Sequence, residues 1–187
     1  MKKIISMMIV LFAAATITYA QDTTKDFHFR TFIELMNFSF QGKDFSYYEK
    51  LASNAGLTKI HEEKDKSEVY YVWGENVSYK KGHMTETYTK LGDNPSCLNF
   101  DLIRNEKGLY VPMTISIIFP DANAQERFYN EGMKMGAVVN DKIYSTDVDP
   151  TWKNVKGIKY VKHRTNTSWR YIFFYEKDGM NMCTFLF

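Results

Sequence analysis

The chain has 187 residues, of which 44% are hydrophobic and 25% are charged, so it is long enough for one domain with a sizeable core. Its formal net charge is only +2. Because nucleic-acid binding depends on clustered cations that neutralise phosphates, this balance argues against a nucleic-acid partner, and it equally disfavours docking on anionic lipid.

The first 20 residues are predicted to be a cleavable signal peptide. Lys2 and Lys3 form a positive start, and a small-residue segment ends at Ala20. The apolar run between them, Ile4–Ala15, is shorter than the roughly 20 residues that a membrane-spanning helix needs. We therefore expect an exported protein, periplasmic or extracellular, with a single α+β domain over residues 21–187. Cleavage would leave equal numbers of basic and acidic residues.

Two amphipathic helices are predicted. Asp44 and Gly56 occupy the positions of an N-terminal cap and a C-terminal stop for the first helix, and Asp121 and Gly136 occupy the same positions for the second. Apolar residues recur at helical spacing between these ends. They are Phe45, Tyr48, Leu51, Ala52 and Ala55 in the first helix and Ala124, Phe128, Gly132 and Met135 in the second.

A third, short helix is predicted upstream of these two. Thr31 and Glu34 have the form of a capping box before Leu35 and Met36. The alternation of apolar residues from Phe27 to Ile33 would also suit a strand, so this segment keeps two interpretations.

Most of the remaining sequence alternates between apolar and polar residues, which is typical of strands joined by short polar turns. The predicted strands cover residues 57–63, 68–73, 98–104, 109–119, 158–164 and 169–176 and a last segment that ends at Phe187. Pro112 predicts an edge position or a bulge, and Asp178-Gly179 predicts a tight hairpin. Strands that meet through such short turns are antiparallel. The expected fold is therefore α+β, with an antiparallel meander sheet and two main helices.

The order of elements predicts an internal repeat. Each helix is followed by an extended segment and a meander, so two α-β-β-β halves are expected side by side, about residues 26–104 and 110–187. This order, with the segments Phe32-Ile33-Glu34-Leu35, Tyr47-Tyr48-Glu49-Lys50-Leu51 and Gly56-Leu57, resembles the exported tandem-repeat α+β modules of the β-lactamase inhibitor protein and outer-membrane-assembly lipoprotein type. The resemblance implies a binding activity, often toward another protein on the concave sheet face. The chain has no cysteine near the predicted cleavage point, unlike the assembly lipoproteins.

Cys97 and Cys183 are the two cysteines of the chain. An oxidising compartment would permit a disulfide between them. Their spacing suits equally well two separate, buried small hydrophobic residues.

No metal site or other cofactor is predicted. The four histidines lie far from one another and from both cysteines, which is not the pattern of a zinc site; they are His28, His61, His83 and His163. Asp147-Val148-Asp149 begins like a calcium loop, but Pro150 follows directly, and Trp152 stands where such a loop needs its Gly.

The sequence contains no catalytic motif, so no catalytic residue is predicted. Its most distinctive feature is aromatic alternation in two predicted strands. We predict that Tyr71, Trp73, Trp169 and Tyr171 form an exposed platform that binds a protein or glycan partner, because Tyr and Trp suit such interfaces. The alternative is that these aromatics are simply buried. The second function considered is an exported hydrolase whose residues, such as His163, converge only in the folded chain.

Overall fold

One antiparallel sheet of eight strands forms the centre of the molecule. The computed structural model describes residues 27–32, 46–82, 85–108, 110–140, 149–161 and 169–186. The strands in chain order are β1 (Thr58–Lys64), β2 (Glu68–Glu75), β3 (Val77–Lys81), β4 (Glu86–Lys90), β5 (Ser96–Arg104), β6 (Tyr110–Phe119), β7 (Val138–Val139), β8 (Lys153–Val161), β9 (Trp169–Lys177) and β10 (Met180–Leu186). The sheet has the order β1-β2-β5-β6-β10-β9-β8-β7, and β3 and β4 form a separate hairpin. All pairings between these strands are antiparallel, which confirms the predicted α+β class.

Two helices, α1 (Ser46–Asn54) and α2 (Ala122–Lys134), end at the glycines that the sequence indicates. Gly56 and Gly136 have positive φ angles of 72° and 96°. In both helices the amide after the glycine donates to a carbonyl in the last turn at 3.0 Å, which is the Schellman arrangement. The Asp121 carboxylate accepts from the amide of Ala124 at 2.8 Å and caps α2 as predicted. Asp44 lies outside the described residues.

The predicted strands are present, with differences at their ends. Asp178 and Gly179 both have positive φ angles, as a two-residue I′ turn requires. Pro112 lies in a central strand, opposite Leu102, where the pairing of β5 with β6 shifts register. Pro112 was predicted to lie at a sheet edge or at a bulge, and the structure has the bulge. Strands β3 and β4 are not among the predicted strands, β7 lies in the extended segment expected after the second helix, and β8 begins earlier than the sequence indicates.

The sheet has two sides with different covers. On the helix side, strand residues pack against α1, α2 and the helical residues 29–32; they include Val69, Tyr71, Trp73, Phe100, Ile115, Ile117, Ile172, Phe174, Cys183 and Phe185. On the other side, here called the cleft side, the β3–β4 hairpin covers part of the sheet, and the buried residues are Tyr70, Val72, Val77, Tyr88, Cys97, Ile118, Phe173, Tyr175, Met180 and Met182. The helical layer is itself tightly packed: a Cβ on Gly132 of α2 would come within 2.7 Å of the ring of Phe29, which belongs to the helical residues 29–32.

The two cysteines do not form a disulfide. Both thiols are free and buried, and they lie on opposite sides of the sheet, Cys183 on the helix side and Cys97 on the cleft side. Since neighbouring side chains of a strand point to opposite faces, no rotamer brings these two sulfurs together across the sheet. The interpretation as two small buried hydrophobic residues is the one that the structure supports.

Several expectations concern residues outside the described part of the chain. The predicted signal peptide is one of them, and export therefore stays a prediction. Residues 29–32 are helical, so this segment is a helix and not the alternative strand, but Thr31 lies inside it and is not its N-terminal cap. Glu34, Leu35 and Met36 lie outside the described residues. The strand order groups β1, β2 and β5 on one flank of β6 and β7 to β10 on the other. The internal repeat also stays a prediction. No helix among the described residues is long and apolar enough to cross a membrane.

Candidate ligand-binding cleft

The four aromatic residues predicted to form a platform do not share one surface. Tyr71 and Trp73 are 1% and 3% exposed, and their rings stack in the helix-side core with centroids 5.2 Å apart. The expected exposure of these two residues is therefore wrong. Tyr171 is 42% exposed and belongs to the cleft side, because it alternates with the helix-side residue Ile172. The backbone of Trp169 pairs with Val161 in the sheet, and its side chain is outside the described part of the structure.

A cleft of about 330 Å³ lies on the cleft side of the sheet. It is lined by the end of the β3–β4 hairpin, by a turn before β8, and by strands β6, β9 and β10. The lining residues are Thr85, Glu86, Tyr88, Thr114, Ser116, Asp149, Trp152, Tyr175, Lys177, Met182, Thr184 and Leu186. Such a volume is at the lower end of the roughly 300–1,000 Å³ range of small-ligand pockets.

The hairpin wall of the cleft is fixed by contacts with β1, β2 and β5. Lys81 lies 2.9 Å from Glu63 and 3.4 Å from Glu68, and its ammonium sits 4.5 Å from the centre of the Tyr70 ring. The Asn99 amide nitrogen lies within hydrogen-bonding distance of the Tyr70 hydroxyl, of the Tyr88 hydroxyl at 2.6 Å and of Glu86 Oε2 at 3.2 Å, so its two N–H groups are shared among these three acceptors. These bonds hold Glu86 and Tyr88 over the sheet at one end of the cleft.

The opposite wall is a short turn, Asp149-Pro150-Thr151-Trp152. Asp149 Oδ1 accepts from the Thr151 amide at 2.8 Å and from its hydroxyl at 2.6 Å. The Asp149 carbonyl accepts from the Trp152 amide at 2.9 Å, which closes the turn. Lys177 lies 3.2 Å from Asp149 Oδ2. The hydrogen bonds from Thr151, followed by Lys177, lower the pKa of Asp149 to about 2.

This turn places the indole of Trp152 flat on the ring of Tyr175. The two ring centroids are 3.8 Å apart and the interplanar angle is 6°. Trp152 is partly exposed, whereas Tyr175 is buried beneath it. The sheet thus supplies a fixed base for an aromatic ring that lines the cleft.

The floor of the cleft is a polar strip in an otherwise apolar sheet face. Ser116 on β6 lies in register with Asn99 on β5 and with Thr184 on β10. The Ser116 and Thr184 hydroxyls are 3.0 Å apart, and the Tyr175 hydroxyl is 2.9 Å from Thr184. Two of these three hydroxyl hydrogens suffice for the two contacts, so one O–H and several lone pairs are left for a ligand.

Asp101 is a buried carboxyl next to this strip. It is only 5% exposed, lies opposite Thr114 of the cleft lining, and its Oδ1 has no hydrogen-bond partner within the described residues. Burial, followed by the nearby carboxylates of Glu68 and Glu86, raises the pKa of Asp101 to about 6, although Lys81 acts in the opposite direction. The polar character of the cleft side thus extends beneath the hairpin.

The floor hydroxyls contact one another: Ser116 contacts Thr184, and Thr184 contacts Tyr175. A nucleophilic hydroxyl needs an adjacent base, and among the described residues no hydrogen bond joins a basic group to Ser116 or Thr184. Across the described residues, no group of three or more His, Cys, Asp or Glu side chains is placed to hold a metal ion. His163, which the hydrolase alternative names, lies outside the described residues.

No family model matches the chain, and neither a curated protein nor a solved structure is significantly similar to it. The resemblance to tandem-repeat α+β modules therefore stays a prediction.

Most of the cleft could not be predicted from the sequence, because its lining residues come from four segments that are far apart along the chain. One local signal was available at its wall. Asp149 and Pro150 are favoured residues for the first two positions of a β-turn, and such a turn presents the next aromatic residue, Trp152, at its end. Thr114 and Ser116 lie in the predicted strand 109–119, but the alignment of Ser116 with Thr184 depends on the pairing of that strand with β10, which the sequence does not indicate.

Proposed function

We propose that this chain is an exported, non-enzymatic binding protein that holds its partner in the cleft on the cleft side of the sheet. One observation carries the proposal, namely the polar strip of Ser116, Thr184 and Tyr175 on the floor of a cleft whose two walls are pinned to the sheet. Unpaired polar groups inside a protein are costly, so a strip with spare hydrogen-bonding capacity is most useful where a ligand or water completes it.

The size of the cleft favours a small ligand or one end of a longer molecule. Its volume of about 330 Å³ suits a compact polar group better than the flat surface of a folded partner. Of the two partner classes expected from the sequence, a glycan fits this space better than a protein. Export, which rests on the predicted signal peptide, agrees with a partner in the cell envelope or outside the cell.

The alternative function, an exported hydrolase, is not favoured by a specific contact. It would need a base or a second carboxyl group beside a reacting hydroxyl. Burial raises the pKa of Asp101 to about 6, but no described hydrogen bond joins this carboxyl to a lining hydroxyl. The cleft is therefore assigned to binding in this proposal.

Protein-observed NMR of the ¹⁵N-labelled chain, residues 21–187, tests the proposal. The probe is a fragment mixture with separate neutral, cationic and anionic pools, and the reporters are the backbone amide and indole N–H signals. We expect at least one pool to shift the Trp152 signal, assigned with Trp152→Phe, while the buried Trp73 signal stays in place. Fragments that shift only residues of α1 and α2, or that are cleaved in the sample, would contradict the proposal.

A further inference from the structure

We infer, building on the proposed function, that the ligand of the cleft is a neutral saccharide. One sugar ring lies on the indole of Trp152, and its hydroxyl groups bond to the polar strip and to Glu86. The inference names the ligand class and depends on the cleft being the binding site. Three features of the lining support it: the aromatic ring, the type of hydrogen-bonding groups and the distribution of charge.

The aromatic ring matches the apolar face of a sugar. A pyranose ring exposes C–H groups on its faces and hydroxyl groups around its edge, so it packs flat on an aromatic ring and bonds at its rim. Trp152 is held for such a contact, because it stacks on Tyr175 at 3.8 Å and its turn is closed by Asp149. A ring that is already fixed loses little conformational entropy when a ligand binds.

The polar groups match the rim of a sugar. Hydroxyl groups of a saccharide both donate and accept, and they need partners with both capacities close together. Thr114, Ser116 and Thr184 supply hydroxyl groups from the floor, and Glu86 supplies a carboxylate from the wall. Hydrogen bonds from neutral donors to a carboxylate are stronger than those between neutral groups.

The charges of the lining disfavour an anionic ligand. Among the described lining residues the charged groups are Glu86, Asp149 and Lys177, and the only cation, Lys177, is paired with Asp149 at 3.2 Å. A phosphate or sulfate group would meet the Glu86 carboxylate without an unpaired cation to bind it. This charge distribution therefore favours binding of a neutral saccharide over binding of nucleotides, phosphosugars and sulfated glycans, which are anionic.

A glycan array probed with the labelled chain, residues 21–187, is the first test. The array carries neutral hexose-containing glycans and, for comparison, sialylated and sulfated ones. We expect binding to neutral members only. The best of them is then titrated by tryptophan fluorescence and calorimetry against a set of variants.

The variants separate the cleft from the rest of the surface. Trp152→Ala is expected to weaken binding about tenfold or more, and Trp152→Phe to retain most of it, because the second variant keeps a flat ring. Glu86→Gln should weaken binding by about tenfold through loss of the charged acceptor. Tyr171→Ala removes an exposed ring outside the cleft lining and should bind within about twofold of wild type. Thermal unfolding of each variant shows whether it is folded.

The outcomes distinguish this inference from the function on which it rests. Neutral glycans that bind wild type and Trp152→Phe but not Trp152→Ala would support both. Binding only of anionic glycans, or of quaternary ammonium fragments at Trp152, would overturn the saccharide inference and leave the cleft as a binding site. Neutral glycans that bind Trp152→Ala and Glu86→Gln as well as wild type would place the site elsewhere and overturn both.

Discussion

The two sides of the sheet are built from the same strands but differ in what covers them. The helix side is closed by α1 and α2, and its strand side chains form an apolar, largely aromatic core. Among the described residues, the β3–β4 hairpin covers part of the cleft side, and the buried residues there include Asn99, Asp101 and Thr184. Neighbouring residues of a strand point to opposite sides of the sheet, so the apolar character of the helix side and the polar groups of the cleft side come from alternate positions of the same strands.

The contrast suggests separate roles for the two sides, with the helix side stabilising the fold and the cleft side available for the proposed binding. Apolar burial on the helix side provides most of the stabilisation, because buried hydrophobic surface is the dominant favourable term in folding. The cleft side keeps polar groups that a stability-optimised core would not contain. Substitutions on the two sides should therefore have different effects on folding and binding, and the following experiments compare them.

The largest difference in stability is expected between two tyrosines of the predicted aromatic platform. Tyr71→Ala should lower the free energy of unfolding by about 3–5 kcal/mol, because it empties a fully buried site on the helix side. Tyr171→Ala, its matched control, should change it by less than about 1 kcal/mol, since this ring is 42% exposed. Urea denaturation followed by circular dichroism measures both. Equal losses would mean that the helix side is not the main core.

A stabilising effect is expected on the cleft side. Asp101→Asn should raise the free energy of unfolding by about 1–3 kcal/mol at pH 7.5, because it removes a buried carboxylate with a pKa raised from 3.8 to about 6. The folded state prefers the protonated acid, so the wild-type protein loses stability as pH rises from about 4 to 6. The gain from Asp101→Asn should therefore shrink at pH 4.

Denaturation of wild type and Asp101→Asn at both pH values provides the check. A loss of stability in the variant at pH 7.5 would show that the ionised carboxylate has a stabilising partner. A difference that does not change with pH would show that Asp101 has an ordinary pKa.

A smaller effect is expected at the turn that holds Trp152. Asp149→Ala should cost about 1 kcal/mol of stability through the lost hydrogen bonds, and it should shift the Trp152 indole signal. In wild type, the pKa of Asp149 is lowered to about 2, so the turn should persist above pH 4 and loosen as pH falls toward 2. Asp93→Ala, which alters an exposed residue outside the cleft lining, is the control. An unchanged Trp152 signal in Asp149→Ala would show that the turn does not position this ring.

The smallest effect on stability is expected when the two cysteines, which lie on opposite sides of the sheet, are exposed to a reducing agent. Burial raises the pKa of Cys97 and of Cys183, and thiolates are the reactive form. Ellman's reagent should label neither cysteine in the native protein and both in urea, and a reducing agent should leave the melting temperature unchanged. A melting temperature that falls on reduction would reveal a disulfide.

Local signals in the sequence predicted much of the fold. Gly56 and Gly136 identify helix ends because a left-handed residue is required there, and Asp178-Gly179 identifies a hairpin for the same reason. The identity of the buried aromatics could not be predicted in this way. Tyr70 and Tyr71 alternate in one strand and are both buried, since the β3–β4 hairpin covers one and the helices cover the other. Periodicity reports that two faces are apolar, but the cover on each face depends on elements far away in sequence.

The candidate site was even less accessible to sequence reasoning. Glu86, Ser116, Trp152 and Thr184 come from four segments whose proximity depends on the strand order β5-β6-β10-β9 and on the docking of a hairpin. The strand order of the sheet cannot be predicted from a single sequence that has no recognisable motif. The Asp-Pro turn before Trp152 is the exception, because its geometry is local.

Hydroxyl-radical footprinting of the free protein tests the difference between the two sides most directly. Mass spectrometry would compare the oxidation rates of Trp152, Tyr171, Tyr71 and Trp73 in the native and the urea-unfolded chain. The structure predicts that Trp152 and Tyr171 are oxidised in the native protein, and that Tyr71 and Trp73 react only after unfolding. Native oxidation of Tyr71 and Trp73 as fast as that of Tyr171, with Trp152 protected, would contradict the assignment of the helix side to the core and of the cleft side to binding.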